Sequence, residues 1–374
     1  MYIIRNKDVV SNNEDLEKLF SFNNFPAFNG CNISDSDTDI KADLTFCISK
    51  STGMIQVNPV LDPNIVYQSS HGSGNIGGWL EHHQAFADFI SKYNPTSIFE
   101  IGGASGILNA EYILKYKKIP WTILELNPTP VENSQATWIK GSYNKDTIIE
   151  NIDMVVHSHC LEHIYEPAEF FKNTLKFNKN TKMCFSIPNL QAQLEKKYTN
   201  ILNFEHTYFC NESVVDYWLK IYGFEILEKN YYKDDHSIFY ATIKINNYQP
   251  TDYYNQYNKN KDLFQNWLNH HTDFVNSVNQ ALLNSSNNVF LFGASINTQF
   301  LINLGIDQNK IIFVLDNDVS KQDKRLYGTN LIVKNPSILK NYVNPTVILK
   351  SGVHNKEIKN GILDNFNNCT NFIE

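Results

Sequence analysis

The sequence predicts an α/β protein, and three observations carry that prediction. The stretch SIFEIGGASG (Ser97–Gly106) reads as a buried strand breaking into a glycine turn, followed by a helical pattern and a second strand, WTILELN. From there to Lys244 strand and helix patterns alternate, and they finish in antiparallel-looking strands around Phe224 and Ser237–Ile243. Further on, NVFLFGASINTQFLINLG and KIIFVLDND repeat the order strand, glycine turn, helix, strand. Such alternation makes parallel sheets covered by helices.

The chain of 374 residues is long for a single core. We expect a small N-terminal module over 1–66, a central domain over 67–250 and a C-terminal domain over 251–374. A hydrophobic fraction of 42% excludes a disordered protein, and a net charge of −7 argues against a nucleic-acid binder. No apolar run approaches membrane-spanning length, so no membrane insertion is expected. Six scattered cysteines without a CxxC pair read as reduced thiols, and the expected setting is cytoplasmic.

In chain order, residues 13–20 suggest a charged opening helix, and DLTFCIS and GMIQV suggest strands of a mostly β module. Cys31 and Cys47 are too few to hold a structural zinc. The Ser/Gly-rich stretch Ser69–Gly78 reads as a mobile loop leading into a helix with Trp79, Phe86, Phe89 and Ile90 on its apolar side. It is placed to lie across a ligand.

The turn after Phe99 follows the pattern E-x-G-x-x-x-G, from Glu100 through Gly102 to Gly106, with Leu108, Ile113 and Leu114 on the helix that follows. Glycine lets a ligand approach the backbone closely, and a helix start presents free N–H groups. Glu125 ends the next strand about twenty residues on, where an acid accepts both hydroxyls of a ribose. The dinucleotide pattern GxGxxG is not met. The turn resembles the S-adenosylmethionine (SAM) loop of class I methyltransferases.

WIKGSYNKD supplies another strand end, and IDMVV is an apolar strand ending in HSHCLEHIYEP. His159 and His163 are four apart, a spacing found in metal sites, but the carboxyl end of a central strand binds ligands anyway. We expect no metal, and His163 facing the substrate. Phe170–Phe177 reads as a helix and KMCFSIPN as a strand. The stretch FEHTYF then sets Glu205 beside His206, a general-base pairing. Asn211 or Ser213 caps a helix through Ile221, which Gly223 ends before the strand FEILE. After a polar connector with a helix at Leu263–His270, Gly293, Ala294 and Ser295 offer a second nucleotide turn, with Lys321, Lys324 and Arg325 for phosphates.

Taken together, YQSSHGSG before a helix, EIGGASG, HCLEHI, FEHTYF, GAS before a helix and VLDND…KQDKRLYGT resemble the three-part sugar C-methyltransferase family. That family acts on nucleotide-linked keto-sugars. The resemblance implies a class I SAM-methyltransferase Rossmann-like domain, flanked by a small mostly β N-terminal module and a C-terminal Rossmann-like α/β domain. It implies SAM held by Glu100, Gly102, Gly103, Ala104, Gly106, Glu125, Leu126, Ser142 and His159. By the same resemblance His206 is the base that deprotonates carbon next to a ketone, with Glu205, His163 and Tyr67 beside it.

Three departures are visible, one of them the loop HGSGNIGG, which is longer and richer in glycine than the family pattern. The N-terminal module lacks the family's four zinc cysteines, and Asn203 stands where a tyrosine is common. The implied partner is a nucleotide-linked sugar for surface polysaccharide or a glycosylated metabolite, the protein acting as monomer or homodimer. An O-methyltransferase on the same substrate and a non-catalytic scaffold are the alternatives.

Overall fold

Leu16–Pro26 is a strand, β1, although the charged residues around it suggest a helix. The reason lies in aromatic spacing: Phe20 and Phe22 are two apart, share a strand face and stack edge-on at 4.8 Å, with Phe22 buried. Lys41–Ser49 (β2) and Ile55–Val57 (β3) are strands as expected. The computed structural model describes residues 1–67, 78–147, 150, 152–201, 203–245, 251–283 and 287–374. The expected loop over 69–77 lies outside them.

Helix α1 (Gly78–Ser91) precedes strand β4 (Ile98–Ile101), helix α2 (Ile107–Lys115), strand β5 (Trp121–Glu125) and strand β6 (Thr137–Lys140). On α2, Leu108 and Tyr112 are buried, whereas Leu114 is 81% exposed. It sits six residues past Leu108, on a different face of the helix. Trp79, likewise expected on an apolar face, is 43% exposed.

Strand β7 (Met154–Ser158), helix α3 (Pro167–Asn173), strand β8 (Lys182–Pro188), helix α4 (Glu212–Ile221) and strands β9 (Phe224–Tyr232) and β10 (Ser237–Lys244) follow. Asn211 caps α4, its Oδ1 accepting from the Val214 N–H at 3.1 Å. Gly223 leaves the helix at φ +73°.

These strands form one sheet in the order β9-β10-β8-β7-β4-β5-β6. Neighbours from β8 to β6 are parallel, and β10 runs antiparallel to both β8 and β9. Counting its strands along the chain, the sheet reads 6-7-5-4-1-2-3, the class I methyltransferase order. Its core packs Phe86, Ile90, Ile98, Leu108, Ile123, Val156 and Ala241 together. The order in which the strands are laid down reverses between β4 and β7, and the crevice at the carboxyl ends of those strands is where an open α/β sheet takes its ligand.

Helix α5 runs over Tyr257–Leu283, far beyond the eight residues expected. Its many asparagines lower helix propensity, yet Phe264, Trp267, Leu268, Val275, Val278 and Leu282 recur at three- and four-residue spacing and are buried. Strand β11 (Val289–Phe292), helix α6 (Ile296–Asn303), strands β12 (Ile311–Leu315), β13 (Val333–Lys334) and β14 (Thr346–Ile348), helix α7 (Asn355–Asn365) and strand β15 (Asn371–Ile373) follow. They make an all-parallel sheet in the order β13-β12-β11-β14-β15.

By packing, the chain divides into two units. One comprises Met1–Glu17, Cys47–Lys196 and Ile201–Asn260; the other comprises Lys18–Phe46, Lys197–Asn200 and Lys261–Glu374. Within the second, Arg325 is buried in a bidentate pair with Asp39, at 2.5 and 2.7 Å, and is not open to phosphates as its sequence neighbourhood suggests. No helix of the described residues is long and apolar enough to cross a membrane.

Candidate active site

The turn after β4 is built on two left-handed glycines, Gly102 at φ +70° and Gly106 at φ +76°. A Cβ on Gly102 would stand 2.9 Å from the Cys160 Sγ, and one on Gly103 would stand 2.6 Å from Ile123. Only hydrogen fits at either place. Ala104, at φ +47°, donates its N–H to the Glu125 Oε2 at 2.9 Å, and the Asn127 N–H reaches the Glu125 Oε1 at 3.0 Å. A carboxylate has about four acceptor directions. These two bonds therefore leave capacity for two ribose hydroxyls.

Glu100 does something else. It is 2% exposed, and its Oε2 accepts from the Trp121 indole at 2.8 Å. Burial pushes its pKa up to about 7, Trp121 pulls down, and the Glu125 charge pushes up. It stands behind the turn, where it packs against Gly103. Ser142 follows Gly141, whose N–H bonds the Glu125 carbonyl at 2.9 Å, and the side chain of Leu126 is 45% exposed.

The histidines at the carboxyl end of β7 separate into different roles. His157 is fully buried and stacked on Phe185 at 4.6 Å, and burial lowers its pKa to about 3. That is a neutral core residue. His159 takes a left-handed φ of +47°, uncommon away from glycine. Its Nε2 lies 2.7 Å from the Ser237 Oγ and its Nδ1 lies 3.2 Å from the Glu162 Oε1. The geometry of that second contact falls short of a hydrogen bond, and among the described residues neither side-chain oxygen of the fully buried Glu162 has a hydrogen-bond partner. Burial raises the Glu162 pKa to about 7, with His206 opposing.

Beside them Tyr67, His163 and His206 come together. The Tyr67 hydroxyl lies 3.3 Å from the His163 Nδ1, and the His163 and His206 rings meet edge-on at 4.7 Å. Asn127, two residues past Glu125, donates to the Tyr67 carbonyl at 2.9 Å. The tyrosine is thus tied to the end of β5, beside the glycine turn. Burial is the main cause raising the Tyr67 pKa, and Glu205 adds to it.

The loop that carries His206 is held from several sides. The Asn203 Oδ1 accepts from the N–H groups of Glu205 and His206 at 2.7 and 2.9 Å. Asn203 is therefore the residue that shapes the turn. The segment that follows pairs with β3: the Val57 N–H bonds the Thr207 carbonyl at 2.8 Å, and the Phe209 N–H bonds the Ile55 carbonyl at 2.8 Å. Arg5, 7% exposed, donates to the carbonyls of Val57, Tyr165 and Thr207 and to the Thr207 hydroxyl. The Tyr208 hydroxyl reaches the Leu161 carbonyl at 2.6 Å, joining this loop to the turn after β7.

Arg5, Asn127 and Tyr165 carry no signal in the sequence. Their roles come from contacts 52 to 202 residues away along the chain.

No protein-family model matches the chain. No curated protein matches it either. Among solved structures, it is similar to the methyltransferase domain of a bacterial CtHen1-C, at 12% identity over 44% of this chain and 98% of that one, with a TM-score of 0.36. A magnesium protoporphyrin IX methyltransferase from Synechocystis PCC 6803, with bound SAH, is 13% identical over 48% and 92%, with a TM-score of 0.35. The mitomycin 7-O-methyltransferase MmcR is 13% identical over 44% and 54%, with a TM-score of 0.36. Likenesses this distant carry no functional argument, and the strand order and site geometry stand without them.

Proposed function

We propose that the chain is a SAM-dependent methyltransferase that places a methyl group on carbon next to the ketone of a nucleotide-linked sugar. One observation carries this reading. In a sheet of the class I order, the glycine turn, the acid ending the next strand, and the group Tyr67–His163–His206 all gather at the carboxyl ends of the strands.

The turn fits SAM. Gly102 and Gly103 leave room for backbone approach, and Glu125 keeps acceptor capacity for a ribose. SAM when bound supplies an electrophilic methyl group. His206 takes the proton from the sugar C–H that the adjacent ketone has acidified. Glu205, next in the chain, tunes that imidazole. Tyr67 and His163 donate toward the oxygen on which negative charge develops, the task of an oxyanion site. Burial keeps the Tyr67 hydroxyl protonated, the form able to donate.

Incubating the enzyme with a keto-sugar nucleotide in heavy water, with the non-reactive product SAH in place of SAM, tests this. Carbon methylation requires deuterium to appear at the carbon beside the ketone, and that exchange should vanish in His206→Ala. Methyl transfer from SAM without such exchange would move the reaction to a hydroxyl oxygen. Absence of both would favour a scaffold that has kept the fold.

A further inference from the structure

We propose that His82, His159 and His236 form a binding site for a divalent ion of the zinc class, with Glu162 as its outer carboxylate. The three come from α1, from the turn after β7 and from the residue before β10, 154 positions apart at the extremes. One ring nitrogen from each lies within 4.8 Å of the others. The ring centres are 5.0 Å (82–159), 5.2 Å (82–236) and 5.9 Å (159–236) apart. With metal–nitrogen bonds of about 2.1 Å, three imidazoles at tetrahedral angles place their ring centres about 5.2 Å apart. The spacing is already close to that of a loaded site.

Two further features point to a ligand. His82 is fully buried, and among the described residues neither of its ring nitrogens has a hydrogen-bond partner. Such a group costs about 1–3 kcal/mol unless something satisfies it. The side-chain oxygens of the fully buried Glu162 are also without a hydrogen bond among the described residues, and its Oε1 faces the His159 Nδ1 at 3.2 Å. Metal-bound histidines use their second nitrogen in this way, against a carboxylate that fixes the ring. That leaves the His159 Nε2 to ligate. The Ser237 Oγ now lies 2.7 Å from this nitrogen and 2.6 Å from the His236 Nδ1.

His236 is half-buried, and its ring lies 22° from parallel with His82. It turns as the ion enters. Burial and neighbouring imidazoles hold His82 and His159 below their ordinary pKa, and burial lowers His236 as well. Trp79 covers the group, with its ring 4.9 Å from His159 and 5.1 Å from His236. Nitrogen donors without thiolate suit zinc, and cobalt replaces zinc as a visible probe. An ion here would clamp α1 to the end of β7 and the start of β10 and fix the turn that carries His163.

The test uses untagged full-length protein, stripped with a chelator and reloaded with zinc or cobalt. Plasma mass spectrometry should count one ion per chain, and X-ray absorption should report three imidazoles around it. His236→Gln, at the rim, should lose the ion while keeping its circular dichroism, as should His82→Phe. Glu162→Gln should weaken binding about 10–100-fold, whereas His206→Gln should retain it. Failure of the wild type to hold an ion would overturn the proposal. So would an ion lost in His206→Gln but kept in His236→Gln, which would place it at the neighbouring group Glu162, His163 and His206.

Discussion

At the scale of single residues, His206 and Glu100 make opposite demands on experiment. Replacing His206 with alanine should leave SAM affinity near wild type and slow turnover about a hundredfold or more, the scale of a lost general base. Calorimetry beside steady-state rates separates the two effects, and retained turnover would move the base elsewhere. Glu100 is a question of stability. Its pKa rises from an ordinary 4.5 to about 7 in the folded chain, so the native state holds the proton more tightly than the unfolded state. Stability from this group is whole below pH 4.5 and is lost as pH rises to about 7, a change of about 3 kcal/mol. Glu100→Gln keeps an acceptor for Trp121 and cannot ionise. Its stability relative to wild type should grow between pH 5 and pH 8 in urea titrations. Parallel curves would show that the carboxyl does not titrate in this way.

At the scale of elements, the two strand–turn–helix segments share one device. The Gly102 N–H bonds the Leu124 carbonyl at 2.8 Å and the Ala104 N–H bonds Glu125; the Gly293 N–H bonds the Leu315 carbonyl at 2.7 Å and the Ala294 N–H bonds Asp316 at 2.8 Å. In each case the turn is latched to the acid after the next strand. The resemblance ends at the acid, because Asp316 also takes the Lys321 ammonium at 3.1 Å. This segment order was legible in the sequence, since glycine turns and apolar runs are local signals. The strand at Leu16–Pro26 was not, because its Phe22 is buried by rings remote in the chain, Phe46 and Phe300. The site was half legible. FEHTYF and HCLEHI announce themselves, whereas the Arg5 braces and the His82–His236 approach depend on folding. Asn203 shows the same limit: its side chain sets the loop through two backbone bonds that its identity alone does not reveal. Asn203→Ala should therefore lower turnover about ten- to a hundredfold through misplacement of His206, with SAM affinity unchanged by calorimetry. A matching loss of SAM affinity would mean that the loop serves the cofactor instead.

At the scale of the whole molecule, the function rests on one sheet. The order 6-7-5-4-1-2-3 brings the ends of β4, β5 and β7 side by side and opens a crevice where the strand order reverses. The glycine turn, Glu125 and His163 end or follow those strands, Tyr67 is tied to Asn127 just past β5 by a hydrogen bond, and His206 meets His163 by a ring contact. The central claim is that this crevice holds SAM. Isothermal titration of the full-length protein with SAM measures it most directly. The account predicts one SAM per chain, abolished in Gly102→Val, where the side chain would meet Cys160 at a left-handed φ, while circular dichroism stays that of the wild type. No heat of binding from the folded wild type, or undiminished binding in Gly102→Val, would contradict it.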